Sequence, residues 1–271
     1  MVLSKGGTHM AKRRRTGASG REDRYSLIPH GKDYKPFIAI QDVPSLGRSS
    51  RICGIKTGRQ HDFLSDLERN YFMILEFADD VVDIREQFPL ELEETLLIAE
   101  DLGIKHPVDP VSQKHSTMTS DFCVTIKNGG SARDVIRTLK YKDDLINKRV
   151  IEKFAIEKTY WEQHGLDWGI VTESEINKDY CQNISDILNY HNLDENESFL
   201  DINEEKKDDL IVEFMQRLID PSKTVRQISS LFEKDTHLQK GAGIALFKHL
   251  LARKYIGVDL FTPLCLDQHI R

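Results

Sequence analysis

Apolar positions recur at helical spacing from Leu67 onward: Leu67, Tyr71, Ile74, Leu75 and Phe77 share one side of a predicted helix. Ser65 stands three residues ahead of Glu68, the spacing of a capping box, and so marks the start of that helix. Residues 81–84 read as a short strand and residues 92–102 as a second helix. Residues 119–126 (TSDFCVTI) have the β-branched and aromatic content of a strand, Gly129-Gly130 supplies a turn, and residues 134–141 (DVIRTLKY) form the partner strand. Residues 145–164 predict a long helix that buries Val150, Ile151, Phe154, Tyr160 and Trp161, and residues 167–172 another short strand. Trp161 and Trp168 read as core residues. Residues 30–60 hold Gly31, Pro36, Pro44, Gly47, Gly54 and Gly58 and read as loop.

From about residue 175 the pattern turns helical. Helices are predicted over 176–190 and 199–218, separated by a polar stretch at 191–198. Pro221 breaks the chain, Thr224 caps a helix running to residue 232, and residues 238–252 form the next. Residues 254–263 (KYIGVDLFTP) read as a short β-hairpin. Helix, turn, helix and hairpin is the order of a winged-helix module. The expected organisation is a disordered leader at 1–24, an α/β domain at 25–175 and a mainly α, winged-helix-like domain at 176–271.

Composition narrows the class. The chain has 271 residues, 39% hydrophobic and 30% charged, which suits one or two globular domains. No apolar run approaches the ~20 residues that span a bilayer. The start lacks the apolar core of a signal peptide, so the expected location is the cytoplasm. His9-Met10 reads as a junction, which makes Met10 a candidate start and sets residues 1–9 aside from fold reasoning. The four cysteines are far apart and form no C-x-x-C pair, so they read as reduced thiols. The net charge of −6 conceals an asymmetry: residues 1–60 carry 13 Lys/Arg against 4 Asp/Glu. A basic arm of this kind, with Lys12-Arg13-Arg14-Arg15 at its centre, suits a phosphate backbone or is a solvated tail. The pI of 5.9 argues against a protein that coats DNA by charge alone.

Three residues carry candidate chemistry. Asp121 lies on one predicted strand and Lys140 on its partner, where Thr138 shares the Lys140 face. Glu68 comes from the first helix. Two carboxylates and an amine meet the needs of metal-assisted phosphodiester cleavage: the acids hold Mg²⁺, and the ammonium positions water or offsets charge on the phosphate. The plain alternatives are a capping partner for Ser65, an edge-blunting acid and a solvated strand end. Glu157, on the following helix, is either near this site or a surface acid. Arg48, Arg51, Lys56 and Arg59 read as phosphate contacts or as a solvated loop. Arg85 and His106 receive no role.

Several stretches in order resemble one family: HGKDYKPF at residues 30–37, QDVPSLGRSSRI at 41–52, KTGRQHDFLSDLE at 56–68, VVDIREQFPL at 81–90, GIKHPV at 103–108, STMTSDF at 116–122 and EKFAIEKTYWEQHG at 152–165. The chain resembles the TnsA family, the endonuclease subunits of TnsABC-type transposases. The resemblance covers residues 30–175 most closely; the C-terminal part is similar in length and helical content. It implies a restriction-endonuclease-like mixed sheet flanked by helices, with Glu68, Asp121 and Lys140 at the catalytic positions. It implies Mg²⁺, with Mn²⁺ as substitute, held by Glu68, Asp121, Thr138 and the Leu139 carbonyl. Thr138 departs from the Glu or Gln usual in such nucleases, and a hydroxyl is a poorer hard-metal ligand. The implied activity is nicking of the 5′-end strand at each end of a cut-and-paste transposon. The implied partners are double-stranded DNA, a TnsB-like DDE transposase and a TnsC-like ATP-dependent regulator that meets the C-terminal region. No G-x-x-x-x-G-K-[ST] loop is present, so ATP hydrolysis is not expected of this chain. Two rival readings are a stand-alone restriction-like or junction-resolving nuclease and a non-catalytic winged-helix DNA-binding adaptor.

Overall fold

The structure, a computed structural model, describes residues 28–40, 48–267 and 269. The predicted leader lies outside these residues.

Ser65 caps the first helix, α1 (Asp66–Phe77), as its spacing predicts: Ser65 Oγ accepts the Glu68 amide at 3.2 Å. The return bond differs from a capping box, because Glu68 Oε2 accepts the Leu64 amide at 3.0 Å instead of the Ser65 amide. Ahead of α1 lie two four-residue strands paired antiparallel, β1 (Ser50–Cys53), inside the segment expected to be loop, and β2 (Gln60–Phe63), which starts where that segment ends. Their turn depends on Gly54, where a Cβ would lie 2.7 Å from His61 Nε2 and from Thr57 Oγ1.

The main sheet has the order β3-β4-β5-β6, from β3 (Val81–Pro89), β4 (Thr119–Asn128), β5 (Ser131–Leu139) and β6 (Asp167–Val171). The first two pairings are antiparallel and the last is parallel, so the sheet is mixed. β3 runs to Pro89, five residues beyond its predicted end. Gly129 (φ +57°) and Gly130 (φ +98°) make the primed two-residue turn that joins β4 to β5. Two further helices, α2 (Leu92–Asp101) and α3 (Lys148–Gln163), cover one face of the sheet, with Phe88, Cys123, Ile136, Ile156, Tyr160 and Trp161 between them. A 3-10 turn, Lys142–Ile146, occupies the predicted start of α3. The opposite face carries α1 and α4 (Lys178–Leu188), over Phe63, Phe72, Phe122, Val124 and Val135.

Helices α5 (Glu204–Leu218), α6 (Val225–Thr236) and α7 (Ala242–Ala252) follow. α4 and α5 begin later than their apolar patterns because Asn177 and Asn203 take the N-cap positions and bond the Tyr180 and Lys206 amides. α4 serves two cores: Cys181 and Ile184 pack under the sheet domain, and Ile187 packs against α5 and α7.

The hairpin predicted at residues 254–263 does not form. Lys254 sits at φ +57° and ends α7, and one side chain then does the work of a partner strand. Asn183 Nδ2 donates to the carbonyls of Leu260 at 2.8 Å and Thr262 at 2.7 Å, and Asn183 Oδ1 accepts the Leu264 amide at 3.2 Å. Among the described residues no strand follows β6, so the C-terminal part is a helical unit without a wing. Among them too, no helix is long and apolar enough to cross a membrane. All four cysteines are free thiols, Cys123 and Cys181 buried, Cys53 and Cys265 exposed.

β2 is bound to β3 by a buried ion network. Arg59 donates to Glu86 at 2.8 and 2.5 Å and to the Ile84 carbonyl at 2.9 Å, while His61 Nδ1 lies 2.8 Å from Glu86 Oε2. Burial pushes the Glu86 carboxyl up, but the hydrogen bonds from Arg59 and His61 and their charge outweigh it and bring it down to about 2. Glu86→Gln strands the buried guanidinium and should cost ~3–5 kcal/mol in urea unfolding at pH 7. Because the folded carboxyl titrates below its ordinary 4.5, the contribution of the pair is complete above that pH and is lost as pH falls towards about 2. The unfolding curves of parent and variant should therefore converge in that window; a gap that stays constant down to about pH 2 would count against this account.

Candidate active site

β4 and β5 pair from Asn128–Ser131 as far as Phe122–Arg137 and then part. β4 continues along β3 to Thr119, and β5 continues along β6 to Leu139. The fork leaves the Leu139 amide without a strand partner, and Asp121 fills it: Asp121 Oδ2 accepts that N–H at 2.6 Å. The alternation of side chains breaks at the same level. Ile84 packs under α1, but Phe88, four residues on, packs under α2 and α3 on the other face. Between them Gln87 has φ +48°, a backbone conformation rare for this residue type. β4 shows the matching break: Phe122 faces α1, whereas Ser120 bonds to α3.

The break gathers acids from both faces of the sheet at one place. Glu68 stands in the first turn of α1, its carboxylate held by the Leu64 amide and the Ser65 hydroxyl, the latter at 2.8 Å. Glu157 projects from α3 and is buried. Its Oε1 accepts from Ser120 Oγ at 2.5 Å, from Trp168 Nε1 at 3.0 Å and from Thr138 Oγ1. Trp161 Nε1 donates to Ser120 Oγ at 2.8 Å, so both tryptophans, read from the sequence as core, support this acid. Gln87, between the Glu86–Phe122 and Phe88–Ser120 pairs of the β3–β4 register, is buried too. Its Nε2 is 3.4 Å from Asp121 Oδ1, and its Oε1 accepts from Thr119 Oγ1 at 3.1 Å.

Burial and like charge act together on this cluster. Burial, and then the neighbouring Glu68 charge, hold the Asp121 carboxyl well above the usual range, and Glu157 adds to the effect. Burial also raises Glu68, against hydrogen bonds from the Leu64 amide and the Ser65 hydroxyl. Glu157 is raised by burial, partly offset by Ser120, Thr138 and Trp168. Desolvated like charges side by side are unfavourable unless an ion offsets them.

Of the residues picked out from the sequence, the structure brings Glu68, Asp121 and the Leu139 main chain together. The Thr138 hydroxyl is given to Glu157. Lys140 follows the end of β5, and its Nζ lies 3.6 Å from Asp144 Oδ2 in the 3-10 turn. Among the basic residues, Arg48 is exposed, and Arg51, half of its side chain exposed, pairs with Asp62 at 3.5 Å. Lys56 Nζ donates to the Ala78 carbonyl at 2.7 Å. Arg59 is buried in the Glu86 network and also lies over the Tyr34 ring at 5.0 Å, so it is not free to meet a phosphate. Arg85 is fully buried, bonded to Asp134 at 2.8 Å and Thr125 at 3.2 Å, and His106 bonds to Thr95 at 3.1 Å. Sequence reasoning left Glu157 undecided and passed over Gln87, whose one signal, a positive φ, is not visible in composition or periodicity.

Among the described residues no three His, Cys, Asp or Glu side chains stand close enough to cage a metal ion. The donor set nevertheless fits a hard divalent cation. Mg²⁺ keeps several waters and needs only one or two carboxylates when a phosphate supplies the remaining oxygens, and Glu68 with Asp121 is such a pair.

Two family comparisons match most of the chain. Residues 78–173 match the TnsA-like endonuclease N-terminal family, and residues 175–260 match the TnsA endonuclease C-terminal family. The first range includes Gln87, Asp121, Leu139 and Glu157 and begins after Glu68. A relative in Escherichia coli, the transposon Tn7 transposition protein TnsA, is 46% identical over 155 residues, which is 57% of this chain and 56% of that protein. The matched stretch thus spans little more than half the length of the relative. With its N- and C-terminal parts matched in order, this chain belongs to the TnsA endonuclease family.

Proposed function

We propose that the chain is a Mg²⁺-dependent DNA endonuclease that hydrolyses the 5′-end strand at each end of a cut-and-paste transposon. The observation that carries this reading is the place of Asp121 at the β4–β5 fork, held by the Leu139 amide with Gln87 beside it, where the Glu68 charge acts on it. The family supports a nuclease, and the name of the similar E. coli protein, a transposition protein, supports transposition as the setting.

Glu68 and Asp121 would hold the metal ion, with the Leu139 carbonyl as a main-chain ligand. When bound, the ion supplies Lewis-acid polarisation of the scissile phosphate and a water of lowered pKa. The chain's own groups set the geometry. The Leu139 amide fixes Asp121 Oδ2, and Oδ1, whose one contact is the long one from Gln87, is the oxygen that would meet the ion. The charge of Glu157 acts on Asp121, and the Thr138 hydroxyl serves by orienting Glu157 more than as a ligand. Lys140 acts by exchanging Asp144 for the phosphate or its attacking water; a half-exposed ion pair is weak enough to be exchanged. Arg48, Arg51 and Lys56 lie ahead of α1 and are the candidate contacts to the DNA backbone. A DDE-type transposase is the proposed partner for the 3′ ends, and an ATP-dependent regulator the proposed partner of the helical C-terminal part. The restriction-endonuclease-like reading of the fold belongs to this proposal; the mixed sheet with helices on both faces supports it.

Duplex DNA carrying transposon ends, incubated with Mg²⁺ and with or without a DDE transposase, tests the function. Nicking at the 5′ ends that requires the transposase is the expected result; sequence-specific cutting by the chain alone would replace this reading with a stand-alone nuclease. Asp121→Asn should abolish nicking. It should also raise the melting temperature of the metal-free protein by about 2–4 °C, the shift that ~1 kcal/mol produces in a chain of this size, because it removes one member of a repelling pair and keeps an acceptor for the Leu139 amide. Nicking by this variant at the parental rate would remove Asp121 from the mechanism. Lys140→Ala should lose nicking while calorimetric Mn²⁺ binding stays within about threefold of the parent, a difference below 1 kcal/mol; loss of Mn²⁺ binding would make Lys140 part of the metal site instead.

A further inference from the structure

Gln87 has a backbone and a side chain at odds with a routine place in a strand. It sits at φ +48°, where a side chain is strained and glycine is not, yet it is a large, buried amide. Such strain persists only where the surroundings enforce it. Two contacts do so here: the Phe37 amide donates to the Gln87 carbonyl at 3.2 Å, and the Thr119 hydroxyl donates to Gln87 Oε1 at 3.1 Å. The Asp121 carboxylate, which only accepts, sets which way the amide points, and the Thr119 hydroxyl suits that orientation. With Oε1 engaged by Thr119, Nε2 and its two donor hydrogens face the acid cluster. One reaches Asp121 Oδ1, at a long 3.4 Å. The opposite amide orientation would aim an oxygen at that carboxylate.

We propose that Gln87 is a positioning residue for the cation site: its amide, anchored by Thr119, touches Asp121 Oδ1 and sets the direction in which that carboxylate oxygen faces the ion. The inference rests on the reading of these acids as metal ligands. It explains why the strained residue is an amide. A lysine there would neutralise the pair and compete with the ion, an acid would add to the repulsion, and a glycine would relieve the backbone but leave Asp121 Oδ1 without its contact.

Glycine therefore supplies the test, since at this φ it removes the side chain without adding strain. Full-length Gln87→Gly and the parent are compared by Mn²⁺ titration calorimetry and by thermal melting without metal. The expected result is Mn²⁺ affinity about tenfold weaker, the effect of losing a charge-assisted hydrogen bond, with a melting temperature equal to or above the parent. A merely structural glutamine would lower the melting temperature together with the affinity, and that outcome overturns the proposal. Unchanged affinity overturns it as well and leaves the metal reading intact. A parent protein that takes up no Mn²⁺ removes both.

Discussion

The parting of β4 and β5 beyond Phe122 and Arg137 is the constraint on which the rest of the site depends. A continuous ladder would pair the Leu139 amide with a backbone carbonyl and keep Asp121 within the alternation of its strand. The fork frees that amide for a carboxylate, and the matching reversals at Gln87 and Ser120 redirect side chains between the two faces. Acids that begin on α1, β4 and α3, in different layers of the fold, thereby meet at one end of the sheet. Irregular strand geometry of this kind is a common means of aiming a side chain at a site.

The arrangement opposes stability. Glu68, Asp121 and Glu157 are all pushed up by burial, and Asp121 is pushed further by its acidic neighbours. The fold meets this with rigid support on both sides. On the α1 side, Arg59 and His61 lock β2 to Glu86, the residue before Gln87. On the α3 side, two indole N–H groups and two hydroxyls engage Glu157 and Ser120. Function and stability meet in these few residues, as they do where charge is held ready for a ligand. α4 extends the framework by packing Ile184 under the sheet domain and Ile187 into the helical unit, so the two parts share one helix.

Much of this was legible in the sequence wherever a local signal carried it. Ser65 announced α1, Gly129-Gly130 announced the β4–β5 turn, and the apolar spacing around Tyr160 and Trp161 announced α3. Glu68 and Asp121 were visible as candidates, but their meeting depends on a fork that no periodicity records. The β1–β2 pair was missed because two four-residue strands divided by glycines carry too little alternation. Arg59 was grouped with loop cations, although its fate was set by Glu86, twenty-seven residues away. The C-terminal hairpin was predicted from its β-like composition, and long-range hydrogen bonds to Asn183 overrode that tendency. Gln87 gave no signal, since its role follows from one dihedral angle and from a residue on the neighbouring strand.

The account turns on whether a divalent ion belongs between Glu68 and Asp121. A crystal structure of the full chain soaked in Mn²⁺, with data collected to reveal the anomalous signal of the metal, tests this directly. The account predicts an anomalous peak about 2.0–2.3 Å from a carboxylate oxygen of each residue, a distance set by hard-cation coordination. No peak there, or a peak only at surface acids away from the β4–β5 fork, would contradict it.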